Sequence, residues 1–184
     1  KILAAENENE RRSPASLTKI MTSYVVFKRL KEEFISLDDE VKISEKAWKT
    51  GGSRSFIEVG KMINLEDLLK GMIIQSGNDA SVALAEHVAG SEGTFVLFMN
   101  DYAQEIGMTN TRFENSSGLP HEDQYTTAKD MAILSSAIIK DFPKLYEWYG
   151  QKEFTYNNIK QINRNKLLFT DSTVDGLKTG GTQK

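Results

Sequence analysis

The hydrophobic period changes along this chain from a long helical block to short alternating segments, and that order restricts the fold more than any other feature. Apolar residues recur at helical spacing from Leu17 to about Lys140, whereas residues 154–162 and 173–178 alternate as strands do. Residues 1–5 resemble the end of a strand, and residues 6–12 a polar turn or loop. With no internal repeat and no long linker, the pattern predicts helices and strands around one core.

Helix start and stop signals divide the helical block. Ser13 is the predicted N-cap of a strongly amphipathic first helix, with Pro14 at its first position. Gly90 and Gly107 are the predicted stops of two later helices. The helices after the first are expected over residues 65–74, 80–89, 91–106 and 126–140.

The strand region begins near Glu153. Residues 154–156 and 159–162 are predicted to form a hairpin across Asn157 and Asn158, because asparagine tolerates positive φ in a two-residue turn. A last strand is expected over residues 173–178, leading into two glycines.

Composition excludes several function classes. The 184 residues carry a net charge of −3, without the basic excess that binding to a phosphate backbone requires. The absence of cysteine excludes disulfides, thiolate metal sites and cysteine nucleophiles. His87 and His121 lack a second ligand at helical spacing, so neither a metal nor another cofactor is expected. Phe95, Met99 and their apolar neighbours in the same helix are expected to be core residues.

Three short motifs occur in order: S-x-x-K at 16–19, S-x-N at 76–78 and K-T-G at 178–180. Each alone is common by chance, but the ordered set is typical of penicillin-binding proteins and class A β-lactamases. A second K-T-G begins at Lys49. We favour Lys178, because its motif ends a predicted strand, where side chains are held rigidly.

The spacing of the first motif predicts a nucleophile and its base. Residues three apart share a helix face, so Lys19 can approach the Ser16 hydroxyl. If Ser13 is the N-cap, Ser16 lies in the first turn, where free N–H groups favour a developing oxyanion. Burial against apolar surface favours the neutral amine that a general base needs.

The S-x-N and K-T-G motifs could each bind substrate, and each also has an ordinary structural explanation. Ser76 and Asn78 lie at a predicted turn between helices, where a hydroxyl can relay a proton and an amide can hold a carbonyl. Lys178 and Thr179 on a strand edge suit an extended peptide that ends in a carboxylate. Lysine is also common on edge strands as protection against aggregation.

At these motifs the chain resembles the low-molecular-weight penicillin-binding proteins that are D-alanyl-D-alanine carboxypeptidases. The resemblance extends over nearly the whole chain and includes residues 11–24, 75–80, 125–131, 163–165 and 174–180. It implies an α+β fold of the β-lactamase/DD-transpeptidase type, a helical cluster packed on a mainly antiparallel sheet. Residues 1–184 would form an incomplete catalytic domain, with a helical region over 13–149 and a strand region over 1–5 and 153–184.

The resemblance implies an acyl-enzyme mechanism on peptidoglycan stem peptides. Ser16 would attack the bond between two terminal D-alanines, Lys19 would take the proton, and Ser76 would relay a proton. Asn78, Lys178, Thr179 and Gly180 would bind substrate, and the backbone N–H groups of Ser16 and Gly181 would form the oxyanion hole. Many relatives carry histidine where this chain has Gly181. The resemblance also implies export, to the periplasm or the outer face of the cytoplasmic membrane, and covalent inhibition by β-lactams. No nucleic-acid partner is expected, and membrane anchoring is expected only through other segments.

Two other functions remain open from the sequence. A class A β-lactamase would need a glutamate for deacylation, and Glu153 begins a segment, E-x-x-x-N, that superficially fits. That segment lies in the predicted hairpin, too close to Lys178 to belong to a loop of the helical region. A catalytically silent peptidoglycan-binding protein would retain the binding residues without turnover.

Overall fold

The structure, a computed structural model that describes residues 4–181, is a helical core flanked by two small antiparallel strand pairs. The helices are α1 (Thr18–Lys31), α2 (Glu45–Lys49), α3 (Leu65–Ile74), α4 (Asn78–Ala89), α5 (Glu92–Glu105), α6 (Ala128–Asp141), α7 (Pro143–Tyr146) and α8 (Leu167–Thr170). The strands are β1 (Glu40–Lys42), β2 (Met62–Asn64), β3 (Glu153–Tyr156) and β4 (Ile159–Ile162). Across residues 4–181, the helices are too short or too polar to span a bilayer.

Helix α1 is the centre of the core. Residues 18–27 are all buried, and α3, α4, α5 and α6 pack around them. The aromatic ring of Phe27 lies 5.6 Å from that of Phe142 and 6.3 Å from that of Trp148, both in edge-to-face arrangement. The prediction of an amphipathic first helix is therefore wrong for its first ten residues, since packing on every side also buries polar positions such as Thr22 and Ser23.

The boundaries of α3, α4, α5 and α6 follow the predicted start and stop signals, with shifts of at most two residues. Asn64 accepts a hydrogen bond from the N–H of Glu66 at the start of α3. Gly90, with φ of 76°, ends α4. Ser91 caps α5, and Thr127 rather than Thr126 caps α6 by accepting from the N–H of Asp130.

The predicted hairpin is confirmed as the pair β3–β4, with Tyr156 opposite Ile159. Asn157 and Asn158 have φ of 49° and 61°, the left-handed backbone of a two-residue turn. The two antiparallel pairs, β1–β2 and β3–β4, confirm the predicted mixture of helices and antiparallel strands.

The strand expected over residues 173–178 is absent, because this segment forms no ladder with another strand of the described residues. Side chains hold the segment instead. Asn165 Nδ2 donates to the carbonyl of Gly176 at 2.9 Å, and the Tyr146 hydroxyl donates to Asp175 at 3.0 Å. Of the strand predicted at residues 1–5, residues 1–3 lie outside the described residues, and Ala4 and Ala5 are not in a strand.

We expect Phe27→Ala to lower the free energy of unfolding by about 3–5 kcal/mol, because it removes a fully buried ring from the centre of the core. Urea denaturation measures the change. Phe34→Ala is the control, since its ring is 72% exposed and its loss is expected to cost about 0.5 kcal/mol or less. Equal losses for the two variants would contradict this description of the core.

Candidate active site

The Ser16 turn lies just before α1. Residues Ala15–Leu17 form one turn of 3-10 helix, and α1 begins at Thr18. The predicted N-cap at Ser13 is wrong, because Ala15 has φ of 46° and interrupts the helical backbone between Pro14 and Ser16. Ser16 therefore precedes α1 and does not lie at the third position of a helix capped by Ser13.

The side-chain nitrogen of Lys19 lies at the centre of the site. Lys19 as a whole is only 1% exposed. Lys19 Nζ donates to Asn78 Oδ1 at 2.6 Å and to the carbonyl of Ser117, and lies 3.4 Å from Ser16 Oγ. The structure thus brings together Ser16, Lys19 and Asn78 from the first and second motifs. Ser117, which sequence reasoning left without a role, completes the set of acceptors.

The surroundings of Lys19 favour its neutral form. Burial, followed by the nearby charges of Lys178 and Arg164, holds the pKa of Lys19 well below its usual value, and Asp79 partly opposes this shift. An amine with a lowered pKa is available as a base closer to neutral pH than an exposed lysine. The site therefore combines a hydroxyl with a potential acceptor for its proton.

Asn78 is held by the loop that contains the other K-T-G. Its Nδ2 donates to the carbonyl of Gly51 at 2.7 Å, and its backbone N–H donates to the carbonyl of Ser53 at 2.8 Å. Lys49 itself points elsewhere, since its ammonium lies 2.5 Å from the carboxylate of Glu45 on the surface. The first K-T-G thus contributes one backbone carbonyl, that of Gly51, to the site, and its lysine side chain is paired outside the site.

Ser76 occupies a strained position between α3 and α4. Its φ is 67°, it is 2% exposed, and its hydroxyl has no hydrogen-bond partner among the described residues. Leaving a buried hydroxyl unpaired is unfavourable, so this group is available to a bound ligand or water. The structure places it next to Gly77 and Asn78 in the chain without bonding it to Ser16 or Lys19.

The second K-T-G packs against the Ser16 turn. A Cβ atom placed on Gly180 would lie 3.1 Å from Leu17 Cγ and 3.3 Å from Leu17 N, so a side chain here would require small shifts of the Ser16 turn. Gly181 borders the same groove as Ser16. The side chain of Thr179 is exposed.

Lys178 and Arg164 form a positive region beside the site. Burial, with a smaller contribution from Arg164, lowers the pKa of Lys178 to about 8. Arg164 Nε donates to the carbonyl of Gln75, which precedes Ser76. The sequence alone did not assign a role to Arg164, although residues 163–165 belong to the resemblance and could have indicated one. Asn165 in this stretch also binds the carbonyl of Gly176, close to Lys178.

The groove above Ser16 has a volume of about 970 Å³. It is bordered by the Ser16 turn, the 52–53 loop, Asn78, residues 117–122 and Gly181. The loop of residues 115–120 forms one wall, and the carbonyl of Ser116 in this loop accepts from the hydroxyls of Thr22 and Ser81, each at 2.6 Å. An extended ligand can therefore lie across Ser16 between two walls of fixed backbone.

His121 has acidic neighbours that its position in the sequence did not indicate. Ligand atoms of Glu114, His121 and Asp123 lie within 4.8 Å of one another. Arg112 already pairs with Glu114, and the N–H of Asp123 donates to His121 Nδ1 at 3.3 Å. The three residues therefore lie close together because contacts within the loop hold them there.

The glutamate considered for a β-lactamase lies away from this groove. Glu153 begins β3, and its carboxylate pairs with Lys160 of β4 at 2.6 Å. The segment thus belongs to the hairpin, as predicted.

Solved structures of two penicillin-binding proteins have this fold. Penicillin-binding protein 5 from Haemophilus influenzae superposes with a TM-score of 0.95 at 48% identity, covering 99% of this chain and 54% of that one. Penicillin-binding protein 6B from Escherichia coli superposes with a TM-score of 0.95 at 44% identity, covering 99% and 60%.

The chain belongs to the peptidase S11 family, D-alanyl-D-alanine carboxypeptidase, whose model matches residues 1–184. It is 49% identical to the D-alanyl-D-alanine carboxypeptidase DacC of Escherichia coli over 189 residues, 99% of this chain and 47% of the relative. It is 47% identical to DacA of Haemophilus influenzae, covering 100% and 48%. The chain thus spans about half the length of these curated relatives.

We expect Gly118→Ala to displace the Ser16 turn. Gly118 has φ of 83°, and an added Cβ would lie 1.8 Å from the carbonyl oxygen of Ala15. The control is Gly60→Ala, where φ is 78° but an added Cβ meets no atom within 4 Å. Both substitutions should lower the free energy of unfolding by about 1 kcal/mol or more, because alanine is strained in a left-handed backbone. Gly118→Ala should lower it by about a further 1–3 kcal/mol because of the clash.

Thermal unfolding of the two variants, followed by a crystal structure of Gly118→Ala, makes the comparison. Equal stability of the variants, with an unmoved Ala15, would contradict the tight contact between the two loops.

Proposed function

We propose that this chain carries the catalytic centre of a serine-type D-Ala-D-Ala carboxypeptidase. The observation that carries the proposal is the buried amine of Lys19, held 3.4 Å from the hydroxyl of Ser16, a residue that borders an open groove. Family membership supports the reaction class, and residues 1–184 would form part of a transpeptidase-like catalytic domain.

In the proposed acylation, Ser16 Oγ attacks the carbonyl carbon of the bond between two terminal D-alanines. The neutral amine of Lys19 takes the hydroxyl proton as the C–O bond forms. The C–N bond then breaks, and the leaving D-alanine nitrogen receives a proton through Ser76, whose buried hydroxyl has no other partner among the described residues. Water hydrolyses the resulting ester, restores Ser16 and releases the shortened peptide.

Backbone N–H groups would stabilise the oxyanion. Ser16 N lies in the turn that leads into α1, where N–H groups lack helical partners, and Gly181 borders the same groove as Ser16. Because the Gly181 contribution is a backbone group, the absence of a side chain leaves it in place.

The positive region would bind the substrate carboxylate. Lys178 and Arg164 supply charge, while Thr179 supplies a hydroxyl on the segment that Gly180 packs against the Ser16 turn. Asn78, held by Gly51 and Lys19, would orient the peptide carbonyl.

The proposed substrate is a peptidoglycan stem peptide that ends in D-Ala-D-Ala, and β-lactams would acylate Ser16 as mimics of that terminus. The names of the relatives as carboxypeptidases and penicillin-binding proteins support both assignments. A peptidoglycan substrate places the protein outside the cytoplasmic membrane, in the periplasm or on the outer face.

We expect Ser16→Ala in the complete protein to abolish both release of D-alanine from a diacetyl-Lys-D-Ala-D-Ala peptide and covalent labelling by a fluorescent penicillin. The variant removes the only atom to which the acyl group is proposed to bond. Ser13→Ala, an exposed serine on the border of the same groove, is the control and is expected to retain both activities. Labelling that survives in Ser16→Ala would overturn the assignment of the nucleophile.

We expect the binding of carboxylate-bearing substrate to weaken as pH rises through about 8, the pKa of Lys178, because the ammonium loses its charge there. Lys178→Arg keeps a charge at that position and should move this basic limb of kcat/KM to higher pH. Lys178→Ala should lose activity at every pH.

The matched controls are the same substitutions at Lys49, which pairs with Glu45 outside the groove. Loss of activity in Lys49→Ala as large as in Lys178→Ala would show that the other K-T-G supplies the binding lysine.

A further inference from the structure

Asp79, the residue after Asn78, is a buried carboxylate that the proposed mechanism does not use. It is 1% exposed and lies in the first turn of α4. Its Oδ1 accepts from the N–H groups of Ser55 and Ala80, each at 2.8 Å, and its Oδ2 lies 3.1 Å from the N–H of Ser55 and 3.4 Å from that of Ile57. Two of these donors belong to the loop of residues 50–60.

The same loop holds Asn78. The carbonyl of Gly51 accepts from Asn78 Nδ2 at 2.7 Å, and the carbonyl of Ser53 accepts from the Asn78 N–H at 2.8 Å. Consecutive residues of α4 therefore fasten the loop at two places, Asn78 near its beginning and Asp79 near its middle. On the other side of the loop, Gln161 Nε2 of β4 donates to the carbonyl of Ser55 at 3.0 Å.

The bond to the loop and the bond to Lys19 together fix which atom of the Asn78 amide faces Lys19. An amide has an acceptor oxygen and a donor nitrogen, and only the oxygen can accept from the Lys19 ammonium. The Gly51 carbonyl binds the nitrogen, so the oxygen points to Lys19 Nζ at 2.6 Å. If the loop moved away, the amide would lose the bond that selects this orientation.

We infer that Asp79 is a positioning residue for the Ser16–Lys19 pair. By holding the 50–60 loop at Ser55 and Ile57, it keeps the Gly51 carbonyl on Asn78 and thereby keeps the Asn78 oxygen directed at Lys19. This inference rests on the proposed function, because it concerns the reactivity of that pair.

Asp79 also acts on Lys19 by charge. The groups around the lysine include Lys178 and Arg164, which lower its pKa together with burial, and Asp79, which raises it; His121 and Glu122 border the groove. Removing the negative charge of Asp79 leaves the cations unopposed, so the pKa of Lys19 falls further. The acidic limb of acylation, below which Lys19 is protonated, should then move to lower pH.

The test is the variant Asp79→Asn in the complete protein, with Asp130→Asn as the matched control. Asp130 is 2% exposed, lies in the first turn of α6, and accepts from Asn110 N at 2.8 Å and Thr111 Oγ1 at 2.7 Å. It thus resembles Asp79 in burial and bonding but contacts none of the groups around Lys19. The measurements are the Tm and the pH dependence of the rate of acylation by a fluorescent penicillin.

Both variants should have a lower Tm, since each loses a buried carboxylate that accepts backbone N–H groups. Only Asp79→Asn should be acylated about tenfold more slowly near the optimum, the size expected for loss of one charge-assisted hydrogen bond. Only that variant should show the shifted acidic limb. If Asp79→Asn matches Asp130→Asn in rate and pH dependence, the inference is overturned.

A second variant keeps the test decisive if Asp79→Asn does not fold. Gln161→Leu removes the other fastening of the loop at Ser55 without changing charge, and should slow acylation while leaving the acidic limb unmoved. Acylation at the wild-type rate in Gln161→Leu would overturn the link between the loop and Lys19. Failure of the wild-type protein to be acylated would overturn the proposed function itself, whereas equal behaviour of the two aspartate variants overturns this inference alone.

Discussion

The buried side-chain nitrogen of Lys19 is the group on which the rest of the site depends. Burying an amine in the core is costly unless hydrogen-bond partners are provided, and here the acceptors come from separate parts of the chain. Asn78 comes from the start of α4, Ser117 from a loop between α5 and α6, and Ser16 from the turn before α1. Satisfying one lysine therefore brings the nucleophile turn, the second motif and one wall of the groove to the same point.

The helical core makes that arrangement rigid. Helix α1 is buried on all sides over residues 18–27, so Lys19 cannot turn toward solvent without disturbing its neighbours. Hydroxyls of Thr22 and Ser81 both bond to the Ser116 carbonyl, which holds the wall next to Ser117. Polar residues that would be unfavourable in an ordinary helix interior thus serve to connect α1 and α4 to the loop above them.

Local signals in the sequence predicted most helices, the β3–β4 hairpin and the meeting of Ser16 with Lys19. Helix caps and a three-residue spacing are short-range properties, so they survive in the folded chain. The predictions were wrong where contacts between distant parts of the chain determine the local structure. Ala15 adopts positive φ where Gly118 packs against it, which moves the helix start away from Ser13, and residues 173–178 lack the strand partner that alternation alone implied. Ser117 was not predictable, because it acts through its carbonyl, which every residue has.

If burial makes Lys19 a neutral base for Ser16, a direct titration of that side chain will show it. In protein labelled with ¹³C at lysine Cε, the NMR signal of Lys19, assigned with a Lys19→Arg variant, reports its protonation as a function of pH. We expect a midpoint well below about 10.4, the value of an unperturbed lysine. We also expect acylation of Ser16 to increase over the same pH range. A midpoint at or above the ordinary value would contradict this role of Lys19.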